Sequence, residues 1–136
     1  MIKYFTFLFL FTLSASLAQT SFQFDQNIKL TQNGENLNLP FSGGLNAAQI
    51  QTMDVNGDGE EEMVIWDINA RQISVFKIKN GAYTFYPELA YYFPSDVNGF
   101  LVLADFDGDG KKDLFTSSPF GIRAYKNNSP VGATSP

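Results

Sequence analysis

The chain has 136 residues, 44% hydrophobic and 17% charged, with a formal net charge of −5 at pH 7. It contains no Cys and no His, which excludes a disulfide scaffold, a catalytic thiol, a His-based triad and any His or Cys metal site. Its 14 Phe, 6 Tyr and 1 Trp supply the apolar mass of one ordered domain, and an acidic balance without a basic run argues against a nucleic-acid partner.

Lys3 precedes an apolar run over Phe5–Leu13 that is broken only by Thr6 and Thr12. Ser16 and Ala18 then place small residues just before Gln19. This is the order of a secretory signal peptide over residues 1–18, with cleavage expected after Ala18. The run falls short of the roughly 20 apolar residues that a membrane-spanning helix needs. No Cys follows it to carry a lipid. The protein is therefore expected to be secreted or displayed at a cell surface.

After Ala18 no stretch keeps a helical period. Short runs rich in β-branched and aromatic residues alternate with Gly, Asn, Asp and Pro, which predicts an all-β fold. In chain order the predicted strands are Ile28–Thr31, Asn36–Leu39, Ala48–Met53, Glu62–Trp66, Gln72–Ile78, Ala82–Tyr86, Phe100–Ala104, Asp113–Ser117 and Gly121–Lys126. Asn33-Gly34 and Asn80-Gly81 are hairpin signals, because that turn needs positive φ at both central residues.

The chain repeats itself. The loop Asp54–Glu62 matches Asp105–Asp113 at an offset of 51 residues, with matching strands on both sides. Further on, Ile73-Ser-Val-Phe-Lys77 resembles Ile122-Arg-Ala-Tyr-Lys126 at an offset of 49. A period near 50 with several strands per unit points to propeller blades or a β-array. The organisation expected is an N-terminal hairpin over 19–44, a first repeat over 45–94, a partial second repeat over 95–126 and a polar tail over 127–136. Closed propellers need about 4–8 blades, so about two units make an incomplete, N-terminal portion of such an assembly, with further blades in a longer chain.

Nine of the 14 acidic residues crowd into the two loops, where like charges repel unless a cation compensates. Oxygen donors fall at loop positions 1, 3, 5 and 9. They are Asp54, Asn56, Asp58 and Glu62 in the first loop, and Asp105, Asp107, Asp109 and Asp113 in the second. The backbone carbonyls of Glu60 and Lys111, at position 7, would add a further ligand each. Gly at positions 4 and 6 lets alternate side chains converge. Hard oxygen donors on a flexible loop suit Ca²⁺ better than Mg²⁺. The helical calcium loop requires Glu at position 12, where this chain has Ile65 and Thr116. The loops are therefore expected to join strands and to hold two structural Ca²⁺ ions.

DVNGDGEEEM and DFDGDGKKDL resemble the calcium loops of the FG-GAP/VCBS repeat family over residues 45–126. In that family the loop joins the first two strands of a β-propeller blade, as in integrin α-chain heads. The resemblance implies the same ligand positions in both loops. Glu62 stands where the family usually has Asp, and the FG and GAP motifs are not intact, although Phe120-Gly121 is nearby. It also implies a non-enzymatic recognition or adhesion scaffold for a protein or glycan at the cell surface. The alternatives are an accessory portion of a larger exported hydrolase, drawing on Asp25, Asp67, Glu88 or Asp96, and a structural spacer.

Other features read as structural. Tyr91-Tyr92-Phe93-Pro94 is expected to pack between blades, Trp66 to lie in the core or at its rim, and Lys111-Lys112 to form a solvated tip. Asn127-Asn128-Ser129 fits the glycosylation sequon.

Overall fold

The computed structural model describes Asp25 and residues 27–129. The signal-peptide reading of residues 1–18 and most of the polar tail lie outside these. The described chain is all-β, with three antiparallel sheets. A small hairpin pairs β1 (Thr31–Gln32) with β2 (Glu35–Asn36). A four-stranded meander follows: β3 (Ala48–Met53), β4 (Glu62–Asp67), β5 (Gln72–Lys79) and β6 (Ala82–Phe85). A second meander has three strands: β7 (Leu101–Ala104), β8 (Asp113–Ser118) and β9 (Gly121–Tyr125). Each meander is blade-like, and no helix starts at Glu60 or Lys111.

The register repeats as the sequence does. Met53 pairs with Glu62 at the mouth of the first acidic loop, and Ala104 pairs with Asp113 at the mouth of the second. Each loop is thus a hairpin tip between the first two strands of its sheet. Asn33-Gly34 and Asn80-Gly81 take positive φ at both residues, as their hairpins require.

One face of the first sheet (Met53, Val64, Trp66 and Val75) packs with Leu101, Leu103 and Leu114 of the second to form the main core. Trp66 is core. On the opposite face of the first sheet, Ile65, Phe76 and Phe85 make a smaller cluster that Leu39 covers. The two sheets are also joined by side-chain amides. Gln49 Oε1 accepts the Leu101 N–H at 2.8 Å, and Gln51 bonds both Leu101 and Leu103.

Three expectations need correction. The N-terminal strands predicted at Ile28–Thr31 and Asn36–Leu39 shrink to two residues each, because their side chains have no sheet face to bury. Leu39 takes a positive φ of 56°, which turns the chain out of strand geometry and onto the first sheet. A 3-10 helix over Pro87–Tyr92, which periodicity did not reveal, bridges the meanders. It buries Leu89 and points Tyr91 and Tyr92 outward, leaving Tyr91 90% exposed. Of the aromatic run, Phe93 is the ring packed against the core.

Candidate metal centre

The same bonding scheme builds both acidic loops. At position 1, Asp54 accepts the N–H groups of Gly57, Asp58 and Gly59, at 2.6, 3.1 and 2.8 Å. Asp105 accepts those of Gly108 and Gly110, at 2.8 and 3.0 Å. Gly57, Gly59, Gly108 and Gly110 all adopt φ between 78° and 89°, where a side chain would be strained, and this curls the amides inward. At position 9, Glu62 accepts the Val55 N–H at 2.8 Å and Asp113 the Phe106 N–H at 3.1 Å. Glu62 and Asp113 are both buried. The amides of Glu60 and Lys111 are held by the position-5 carboxylates Asp58 and Asp109, each at 2.9 Å.

The loops differ in how far their donors converge. In the second, carboxylate oxygens of Asp105, Asp107 and Asp109 all lie within 4.8 Å of one another. No other such group of three acidic side chains occurs among the described residues. Asp113 stands apart from that cluster, its second oxygen taken by the Asn127 N–H at 2.8 Å. In the first loop Asn56 donates to Asp58 at 2.9 Å. Asp58 and Glu62 share a cationic partner, Lys77, while Asp54 is spent on backbone amides.

Each loop also holds an ammonium that the donor pattern did not anticipate. Lys77 Nζ lies 2.6 Å from Asp58 and 3.0 Å from Glu62. Lys126 Nζ pairs with Asp107 and Asp109. The signal was present in the sequence, since the matching segments Ile73–Lys77 and Ile122–Lys126 both end in Lys. The Lys77 hydrogen bond holds Asp58 down at about 2, against the cost of partial burial. Burial works against the charged form of Lys77, but Asp58 and Glu62 outweigh it and raise its pKa. The backbone N–H of Lys111, then Lys126, lower Asp109.

The predicted solvated tip at Lys111-Lys112 is overturned. Lys111 Nζ donates to the Ser129 carbonyl at 2.6 Å. Lys112 Nζ reaches back to the first repeat, donating to the Thr52 carbonyl at 2.8 Å and to Glu61 at 2.6 Å. Lys112 finds these acceptors because the two loops lie side by side, with a groove of about 300 Å³ between them.

The donors fit a hard cation. They are oxygens only, and in both loops a positive group already sits between carboxylates. Glu62 Oε1 is buried, and the Lys77 ammonium at 3.0 Å is what answers its charge.

A family model described as an FG-GAP-like repeat matches residues 54–116. Residues 54–116 are similar to an FG-GAP-like repeat. The match begins at Asp54, the first residue of the first loop, and ends at Thr116 in β8, past the second loop. FG-GAP-like repeats are modules of surface and extracellular proteins. No curated protein and no solved structure matches the chain.

Proposed function

We propose that the chain is a non-enzymatic, calcium-binding module of a secreted or cell-surface protein, serving as a recognition or adhesion scaffold for a protein or glycan. The Asp105–Asp107–Asp109 cluster carries this reading, because three carboxylates held this close by backbone amides call for a cation. Calcium, when bound, supplies the charge and the oxygen coordination that keep such a loop closed. Asp105, Asp107 and Asp109 hold it in the second loop, and Asn56, Asp58 and Glu62 in the first. Further repeats in a longer chain agree with the exposed apolar residues Val102, Phe106 and Ile122 of the second repeat. The hydrolase alternative draws less support. The Ala70, Asn69 and Asn46 N–H groups occupy Asp67, and Asp96 is tied to Tyr125 and Arg123.

Calorimetric titration of calcium into chelator-treated protein tests the metal reading, with melting followed by the fluorescence of Trp66, the single tryptophan. Binding should stabilise the fold by roughly 3 kcal/mol when free calcium is about a hundred times the dissociation constant. Identical melts in calcium and in chelator, with no heat of binding at millimolar calcium, overturn it.

A further inference from the structure

We infer that Lys77 and Lys126 are internal counter-cations of the two loops, seated where a divalent ion binds, so that calcium must displace them. The inference rests on the calcium reading. Both lysines close the matching segments Ile73–Lys77 and Ile122–Lys126, Lys77 within β5 and Lys126 one residue past β9, and both reach the position-5 carboxylate of their own loop. The second contact differs: Lys77 takes Glu62 at position 9, and Lys126 takes Asp107 at position 3. A structural accident would not recur in two repeats on corresponding residues.

Glu62 Oε1 is buried, and the Lys77 ammonium 3.0 Å away is the partner that satisfies it. An ammonium has three donors, whereas calcium takes 6–8 oxygens. The two cations cannot share one set of carboxylate oxygens at contact distance. Without metal, the lysine offsets the repulsion that would otherwise open the loop. With metal, the same charge opposes binding until the side chain swings away. Lys126 can do so readily, since half of its side chain is already in solvent, whereas the Lys77 side chain is 14% exposed. The first loop is therefore the more strongly self-neutralised.

The test titrates calcium into the chelator-treated full chain as wild type, Lys126→Met and Lys126→Arg. Lys126→Met should bind calcium roughly tenfold more tightly at one site. It should also melt below wild type in chelator and regain wild-type melting in calcium. Lys126→Arg, which keeps the charge, should stay close to wild type in both. Lys77→Met should tighten the other site and lower the chelator melt further. Calcium binding with the same affinity in Lys126→Met and wild type overturns this inference alone. An unchanged chelator melt for Lys126→Met does the same. Absence of calcium binding in wild type and every variant overturns the metal reading, and displacement with it.

Discussion

Gln51 serves Leu101 as a neighbouring strand would: its Nε2 donates to the Leu101 carbonyl at 2.6 Å while its Oε1 accepts the next inward amide, Leu103 N–H, at 2.8 Å. The innermost edge of the second sheet is thereby satisfied by a side chain of the first. Gln51→Ala should strand one donor and one acceptor at a partly buried joint, at about 1–3 kcal/mol. Urea unfolding followed by Trp66 fluorescence measures this, and Gln51→Glu should not rescue it, since a carboxylate cannot donate to Leu101.

Leu89 should be the costliest residue of the 3-10 helix. It is fully buried between the sheets, so Leu89→Ala should lose about 2–5 kcal/mol. Tyr91→Ala, two residues on and exposed, should stay within about 0.5 kcal/mol of wild type. Parallel thermal melts compare the two.

Asp58 should keep its charge, and its bond to Lys77, to a lower pH than an ordinary carboxylate. Asp58 titrates near 2 in the folded chain against 3.8 ordinarily. Its folded value is depressed, so its contribution is complete above pH 4 and fades as pH falls toward 2. In chelator, Asp58→Asn should flatten that part of the stability–pH curve, read from melting midpoints between pH 2 and 5.

Glu61 makes an ion pair with Lys112 and accepts from Thr52 Oγ1 at 2.6 Å, yet half its side chain is in water. Lys112, then Thr52, hold its carboxyl below the usual range. Glu61→Ala should therefore cost at most about 0.5 kcal/mol, vanishing in high salt. Calcium affinity should not weaken, because Glu61 is at no ligand position. Melts at low and high salt beside a calcium titration check both parts.

Asp107→Ala and Asp109→Ala should each weaken calcium binding by roughly tenfold or more, since ligand charge sets affinity in such loops. The second loop should be the tighter site. It gathers three carboxylates, Asp105, Asp107 and Asp109, against two in the first, Asp58 and Glu62, and its lysine is the more exposed. Calorimetry on the two variants and wild type resolves the order.

The sheets were legible because two local signals coincide. Each acidic loop is flanked by β-branched and apolar runs, and the repeat offset places those runs in equivalent registers. The Asn-Gly turns marked two hairpins for the same local reason. What could not be read depends on contacts distant in sequence. Lys77 looks like any strand lysine until the sheet brings it to Asp58, 19 residues away. Lys112 resembles a solvated tip until the first repeat presents Glu61 beside it. Pro87 was a usable helix-start signal, but a short 3-10 turn has too few residues to show a period.

Because both acidic hairpin tips flank one groove, the molecule is electrically lopsided. Nine of its 14 acidic residues lie in these two loops, and Lys77, Lys111, Lys112 and Lys126 cancel only part of that charge. The loop end repels anionic lipid or polysaccharide and gathers mobile cations, over a range of about 8 Å at physiological ionic strength. An approaching anionic surface is thus turned toward the opposite pole, and divalent ions that fill the loops weaken the bias.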